Sequence, residues 1–291
     1  MLKLISLLLL LCAAAQNPAP RRPPVTGVAQ IALRVSDLTK ARLFYGQLLG
    51  YAEPFPGAGL PQTIFKVNDR QYVELFPGLP PGQDERLAYI GLETTDLEAM
   101  RAFLRSKGVA VPDSAGPGRD GNLRMMVTDP DGHGVEFIQY LSGSLHLKAR
   151  GQHLGPGRIA DRLLHVGVTV ADAAAADRFY KEVLGFSEIW RGGTTDAVTS
   201  WINMRVPDGT DYIEYMLVTG PVDRRRLGVL HHLALQVPDI QKSLETLRER
   251  AAGLDPAAVG SPQVGRNNRW QLNLYDPDGS RTELMEPFTV R

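Results

Sequence analysis

The stretch His165-Val-Gly-Val-Thr-Val-Ala-Asp172 decides the fold. Its residues alternate between the two faces of a strand, and the aspartate that ends it is a residue type that commonly caps a helix. The stretch has an earlier copy, Gln30-Ile-Ala-Leu-Arg-Val-Ser-Asp37, placed 135 residues before it. Phe-Tyr and Leu-Gly pairs follow both copies at the same spacing. The chain is therefore built, at least in part, from a repeated unit.

A second pattern also occurs twice, and it alternates with the first. It consists of a strand-like run that ends in aspartate, a later Asp-Pro-Asp-Gly turn and a glutamate seven residues after the turn begins. Its landmarks are Tyr89, Asp96, Asp129–Gly132 and Glu136 in the first copy, and His232, Asp239, Asp276–Gly279 and Glu283 in the second. The chain is thus read as four modules in the order A, B, A, B.

The sequence of each module predicts the same order of secondary-structure elements. In the third module, a helix is expected from Asp172 to Val183, with Ala175, Phe179 and Val183 on one face and Gly185 at its end. About three short strands should follow, because β-rich runs alternate there with turn residues. The resulting βαβββ order places the protein in the α+β class, as four modules paired into two domains.

Composition limits the classes of function. The 291 residues suit two domains, and 32 basic against 32 acidic residues leave a formal net charge of zero. This balance does not favour nucleic-acid binding, and the basic triplet Arg224–Arg226 is interpreted as a solvated loop. The predicted boundaries are a leader at 1–24, a first domain at 25–141, a linker at 142–160 and a second domain at 161–291.

The N-terminus resembles a signal peptide. A short basic start, Met1-Leu2-Lys3, precedes the apolar run Leu4–Leu11 and the small residues Ala13–Ala15. The protein is therefore expected to be exported, to the periplasm or beyond the cell, with no stable membrane span after cleavage. Cys12, the only cysteine, lies in this segment, so the mature chain would have no disulfide and no thiolate nucleophile.

These repeats resemble the vicinal oxygen chelate superfamily, which includes glyoxalase I, fosfomycin and bleomycin resistance proteins and extradiol dioxygenases. The resemblance covers Asp161–Glu286 and, more weakly, Gly27–Tyr140. It implies two cupped sheets, each made of a module pair, with a divalent metal inside a cup. It also implies a small-molecule substrate, and four modules in one chain would allow both cups to form within a monomer.

The resemblance implies a metal site in the second half. Carried over by position, its ligands are His165, Glu214, His232 and Glu283. Two imidazoles and two carboxylates suit a divalent iron, zinc, nickel or manganese ion. Glu283 is the first candidate for a catalytic base and Glu214 the second. Alternatively, Glu214 only orients one of the histidines, since extradiol dioxygenases use two histidines and the final glutamate.

The first half has Gln30, Glu74, Tyr89 and Glu136 at the corresponding positions. Gln and Glu are acceptable oxygen ligands, but Tyr89 replaces an imidazole with a phenol that is protonated near neutral pH. This half is therefore interpreted as a degenerate copy that is kept for architecture or for covering the second half.

Three functions remain open at this stage. The first is lyase or isomerase chemistry on a small carbonyl or vicinal-oxygen substrate. The second is an extradiol-type dioxygenase with non-haem iron, although the stretch Asp196–Glu214 lacks the histidine on which those enzymes rely. The third is a metal-free binding protein of the bleomycin-resistance type, which the four metal-binding residues disfavour.

Other side chains give weaker indications. Six residues are read either as an aromatic pocket with an anion-binding arginine or as strand and loop residues packing together: Trp190, Arg191, Trp201, Tyr215, Arg269 and Trp270. His231 should point away from His232. His133, His146 and His153 are expected to face solvent.

Overall fold

The protein is described from a computed structural model that covers residues 20–251 and 253–290. Two mixed β-sheets, one from each half of the chain, form two curled half-barrels. The signal-peptide prediction falls on residues outside the described ranges, apart from the end of the Pro-rich leader. Within those ranges, no helix combines the length and apolar character needed to cross a membrane.

The first sheet has seven strands, in the order β2-β3-β1-β4-β7-β6-β5. β1 and β4 are the first strands of the two modules, and they pair antiparallel at the centre. The strands are β1 (Val25–Val35), β2 (Thr63–Lys66), β3 (Tyr72–Pro77), β4 (Leu87–Thr94), β5 (Gly116–Pro117), β6 (Leu123–Thr128) and β7 (Gly134–Gln139).

The second sheet has eight strands, in the order β13-β14-β15-β12-β8-β11-β10-β9. Its centre repeats that of the first sheet, because β8 and β12 pair antiparallel and each has a parallel neighbour. The strands are β8 (Leu163–Val170), β9 (Ser187–Gly192), β10 (Trp201–Arg205), β11 (Tyr212–Leu217), β12 (His232–Gln236), β13 (Gln263–Val264), β14 (Arg269–Tyr275) and β15 (Arg281–Thr289).

Helices are few, and the aspartates predicted to cap them do so. Asp37, Asp96, Asp172 and Asp239 each accept backbone N–H groups of the first turn. The helices are α1 (Leu38–Arg42), α2 (Leu97–Ser106), α3 (Leu145–Lys148), α4 (Ala173–Ala176), α5 (Leu227–Leu230) and α6 (Ile240–Arg250), with single 3₁₀ turns at Arg224–Arg226 and Pro256–Ala258.

Two of the helices widen into π-helical turns, Leu43–Leu48 after α1 and Asp177–Val183 after α4. Each ends near a glycine with positive φ, Gly50 at 75° and Gly185 at 80°, as the sequence predicted. Because a π-helical turn is wider than an α-helical turn, it changes which residues face the core. Tyr180 is fully buried, whereas Val183, which the four-residue spacing placed on the inner face, is only half-buried.

The first module differs from the predicted pattern, because only two of its three later strands form. Between α1 and β2 the chain makes a single antiparallel bridge, Ala52 with Lys66. The segment that would continue this pairing contains Pro54, Pro56 and Pro61. Proline lacks the N–H that a sheet ladder needs, which accounts for the missing strand.

The two halves interlock through the Asp-Pro-Asp-Gly turns. The Tyr45 hydroxyl donates to Asp276 Oδ2 at 3.0 Å, and the Tyr180 hydroxyl donates to Asp129 Oδ2 at 2.9 Å. All four side chains are buried. Each A module thus binds the turn of the B module in the other half. The larger hydrophobic core, which includes residues of both sheets, surrounds these contacts.

We expect the Tyr180→Phe variant to lower the free energy of unfolding by about 2 kcal/mol, because a hydrogen bond to a buried carboxylate is lost. The matched control is Tyr51→Phe, since the buried Tyr51 hydroxyl donates to a neutral carbonyl, Ala160 O, at 3.2 Å. That change should cost about 1 kcal/mol or less. Urea unfolding of both variants measures the difference. Equal losses would contradict a special role for the Tyr180–Asp129 contact.

Candidate metal centre

The four predicted ligands come from four neighbouring strands at the centre of the second sheet. His165 is on β8, Glu214 on β11, His232 on β12 and Glu283 on β15. Adjacent parallel and antiparallel pairings bring these residues, which are far apart in sequence, to the concave face. Both imidazoles are completely buried, and the side chains of Glu214 and Glu283 are 13% and 5% exposed.

The donor atoms of these side chains converge. His165 Nε2 and His232 Nε2 lie 3.1 Å apart. Glu214 Oε2 is 3.3 Å from His232 Nε2 and 3.8 Å from His165 Nε2. Glu283 Oε2 is 3.5 Å from His165 Nε2 and 3.8 Å from His232 Nε2. The donor atoms of His165, Glu214 and His232 all lie within 4.8 Å of one another.

These separations fit a single ion. Ligand atoms about 2.0–2.2 Å from one metal are separated by about 3 Å at right angles and about 3.5 Å in a tetrahedron. The imidazole–imidazole separation of 3.1 Å and the shorter imidazole–carboxylate separations of 3.3 and 3.5 Å fall within these values, whereas the two of 3.8 Å are slightly wider. Two nitrogen and two carboxylate donors also suit a borderline divalent ion such as iron, zinc, nickel or manganese. The residues present therefore fit the metal that the sequence predicted.

The imidazoles are in the protonation state that metal binding requires. Burial lowers the pKa of His165 to about 3 and holds the pKa of His232 well below its usual value, with the Arg281 charge adding to the effect on His232. Both rings are therefore neutral. His232 Nδ1 lies 3.0 Å from Leu230 O and 2.8 Å from Arg281 Nη2. The carbonyl only accepts and the guanidinium only donates, so these two neighbours favour opposite tautomers. A metal ion on Nε2 would require the tautomer in which Nδ1 donates to Leu230 O.

Burial also raises the pKa of Glu283 to about 7, with the Glu214 charge acting in the same direction and Arg281 opposing both. A carboxyl group with a pKa near neutrality can both accept and release a proton under physiological conditions. This property agrees with the prediction of Glu283 as the first candidate for a base, which stays a proposal.

Gly167 makes room for the His232 ring. The two residues are directly paired across β8 and β12. A Cβ atom on Gly167 would lie 2.0 Å from His232 Cε1 and 2.2 Å from Nδ1, far inside contact distance. Only glycine at this position allows the ring to lie flat over the strand with Nε2 directed at His165.

A cavity of about 600 Å³ opens onto the two carboxylates. Trp190 and Trp201 line it, as one interpretation of the sequence proposed. The other four residues of that set are not among its lining: Arg191, Tyr215, Arg269 and Trp270. Tyr215 packs in the core instead, and Arg191 forms a surface ion pair with Glu188.

The sequence reasoning missed the polar residues of the cavity. Gln271, Asn273 and Arg281 all line it beside Glu283. Within the described ranges, Asn273 Oδ1 and Arg281 Nε are buried and have no hydrogen-bond partner. Asn203, paired with Glu214 across β10 and β11, also has a buried Oδ1 without a partner in that part of the chain. Such groups are available to a ligand.

In the first half, the positions equivalent to Asn203 and Asn273 are apolar, which distinguishes the first cup from the second. Ile64 stands opposite Glu74 where Asn203 stands opposite Glu214, and Met126 stands opposite Glu136. The first-half residues do converge, as predicted, but they gather around a side chain that the sequence analysis did not single out, Arg124.

Two histidines are less exposed than the sequence suggested. His146 is completely buried among aromatic rings, including that of Tyr72. His133 is 10% exposed and bonds Asp129, because its turn faces the other half of the chain rather than solvent. His231 is buried and contacts Glu85 and Thr169, which confirms that it points away from the metal centre. His153 is exposed, as expected.

The family is shown by a comparison with models of protein families. The model described as the glyoxalase/bleomycin resistance protein/dioxygenase superfamily matches residues 27–137 and 162–284. The chain belongs to this superfamily. The two matched segments correspond to the two sheets, so each half of this superfamily member is one copy of the family fold. No curated protein sequence matches the chain.

Solved structures with a similar fold include homoprotocatechuate 2,3-dioxygenases. The enzyme from Arthrobacter globiformis is 21% identical, with a TM-score of 0.67, over 92% of this chain and 82% of that one. A complex of the Brevibacterium fuscum enzyme with 3,4-dihydroxyphenylacetate is 21% identical, with a TM-score of 0.65 and the same coverage. At this identity, the likeness shows a shared two-domain fold.

Proposed function

We propose that the second half binds one divalent metal ion through His165, His232 and Glu283, with Glu214 as a fourth ligand or as the residue that orients His232. The observation that carries the proposal is that two buried neutral imidazoles lie 3.1 Å apart and that a carboxylate oxygen of Glu214 and one of Glu283 each lie 3.3–3.8 Å from them, beside an open cavity. Two histidines and one carboxylate are the usual ligands of non-haem iron in oxygenases.

For the reaction, we propose ring cleavage of an aromatic vicinal diol by dioxygen. Support comes from the dioxygenases that share the two-domain fold and from a cavity with two tryptophans at its wall. This choice reverses the order of the sequence analysis, which placed lyase or isomerase chemistry first. When bound, a divalent metal supplies Lewis-acid chemistry, and ferrous iron adds the reactivity toward oxygen that ring cleavage needs.

The residues of the cavity would bind and orient the substrate. Glu283 and Glu214 can accept the protons of the two hydroxyl groups as the diol binds. The unpartnered Asn273 oxygen can accept a further hydrogen bond, and Arg281 offers a positive charge to an acidic substituent. Trp190 and Trp201 offer aromatic surface and limit the access of water.

A second candidate is glyoxalase-like lyase or isomerase chemistry on a small carbonyl compound. The specific observation in its favour is Glu214, whose Oε2 lies as close to the imidazoles as that of Glu283. A second carboxylate at the metal is suited to moving a proton next to a carbonyl. Within the described ranges, no histidine lines the cavity as an alternative base.

Metal reconstitution followed by two assays distinguishes the candidates. We expect the protein loaded anaerobically with ferrous iron to consume about one dioxygen per catechol, and a His165→Ala variant to show no uptake. Conversion of α-ketoaldehydes by the nickel, zinc or manganese forms without oxygen would favour the second candidate instead. A protein that stays metal-free after reconstitution would contradict both and favour the binding-protein alternative.

A further inference from the structure

The first half places an arginine where the second half has a glutamine that lines an open cavity. Arg124 on β6 and Gln271 on β14 occupy equivalent places, because each is paired with the residue two positions after the glutamate of its last strand. Those partners are Ile138 and Met285. The side chains of both Arg124 and Gln271 point into the cup of their own half, toward its carboxylates.

Arg124 satisfies three carboxylates at once. Its Nη1 donates to Glu136 Oε2 at 2.6 Å, and its Nη2 lies 2.7 Å from Asp120 Oδ2 and 3.2 Å from Glu74 Oε1. The arginine side chain is 13% exposed, and those of Glu74 and Asp120 are 0% and 2% exposed. The guanidinium is thus enclosed by oxygen atoms, as a metal ion would be.

The remaining first-half counterparts of the metal ligands face the same point. Gln30 donates through Nε2 to Glu136, and Tyr89 donates to Glu74. Gln30 is completely buried, and within the described ranges its Oε1 has no hydrogen-bond partner. This unpartnered, buried amide oxygen lies near the three carboxylates and is available as a further oxygen ligand for a cation.

Charge explains why the arginine is needed. Three buried carboxylates close together repel one another and lose hydration, so they require a positive charge. Burial together with the neighbouring acids raises the pKa of Glu136 to about 8, although Arg124 opposes this shift. In the second half, Asn267 takes the place of Asp120 and Gln271 that of Arg124. Arg281 lowers the pKa of Glu283 through its charge, but its Nη2 contacts His232 and does not bridge the carboxylates as Arg124 does.

We propose that the Arg124 guanidinium substitutes for a divalent cation in the first half, and that this half contains a latent all-oxygen cation site, which replacing Arg124 by glutamine opens. The ligands would be Glu74, Glu136, Asp120 and Gln30. Oxygen ligands select hard cations, so the opened site should bind Ca²⁺ or Mn²⁺ in preference to Zn²⁺ or Ni²⁺. This inference is independent of the reaction proposed for the second half.

Calorimetric titration of the Arg124→Gln full-length protein with Ca²⁺ tests the inference. We expect one additional Ca²⁺ per chain with a Kd of about 10⁻⁴ M, typical of weak extracellular calcium modules. The parent protein and an Arg119→Gln control should show none, because Arg119 is an exposed arginine in the turn before β6 and donates to the Gly59 carbonyl. Adding Glu74→Gln to the Arg124→Gln variant should abolish the binding.

A folded Arg124→Gln protein that does not bind Ca²⁺ at about 10 mM would overturn the inference. If the variant does not fold in chelator, the inference expects Ca²⁺ to restore folding, measured by circular dichroism, and failure to do so would also overturn it. Transition-metal content, compared between the parent and His165→Ala, reports separately on the second half. The two proposals can therefore fail independently.

Discussion

The His232→Ala variant is expected to lose its transition metal and its activity, with a fall in metal affinity greater than about 100-fold. Residues that merely orient a ligand typically contribute about 10- to 100-fold, and removal of a ligand should exceed this. His232 Nε2 lies within 3.1–3.8 Å of three other proposed donor atoms, so no nearby side chain can replace it. Elemental analysis after dialysis against a weak chelator measures the effect.

His231→Ala is the matched control for this prediction, because it removes the same side chain from the neighbouring position. His231 contacts Glu85 and Thr169 between the halves and does not face the candidate metal centre. It should therefore lower stability while leaving the metal content near one ion per chain. Full metal occupancy in His232→Ala, or equal metal loss in both variants, would refute the proposed ligand set.

The Gly167→Ala variant should lower metal affinity by about 10- to 100-fold although every donor atom remains in the chain. A methyl group at this position would lie 2.0 Å from His232 Cε1, so the ring must rotate and carry Nε2 away from His165. Competition with a chromophoric chelator measures the affinity. Turnover at saturating metal should recover in part, since the metal ligands themselves are unchanged.

Gly91→Ala provides the matched control in the first half. Gly91 is paired with Gln30 as Gly167 is with His232, and a methyl group there would lie 2.3 Å from Gln30 Cγ. Both variants therefore introduce a similar clash with the residue paired across the two central strands of a sheet. We expect similar losses in melting temperature from the two, but reduced metal affinity only in Gly167→Ala. Comparable metal affinities in both variants would show that Gly167 does not position His232.

The sequence predicted the fold well because its signals are local and repeated. An aspartate after an alternating run defines the start of a helix within a few residues, and the structure confirms this four times, as at Asp37 and Asp172. The absence of one strand from the first module also has a local cause, because the prolines that prevent it lie in that segment of the sequence. Their effect was hidden by the repeat, which led us to expect every module to be alike.

The candidate site was predicted only in part. His165, Glu214, His232 and Glu283 could be selected because a family pattern gives positions, and the sheet brings all four together. Arg124 and Arg281 could not be selected, since one arginine on a strand resembles any other. Aligning the repeats residue by residue would have paired Arg124 with Gln271 and shown that the two cups differ in charge.

By itself, the sequence determined the number of modules, their order and the positions where their helices begin, since these depend on periodicity and capping over short segments. Only the tertiary structure decided which side chains meet. The distance between two imidazoles 67 positions apart depends on strand register, and the charge of each cup depends on which groups lose their water together. Burial and register are properties of the assembled sheets, so only there does the Arg124 guanidinium reach Glu74 and Glu136.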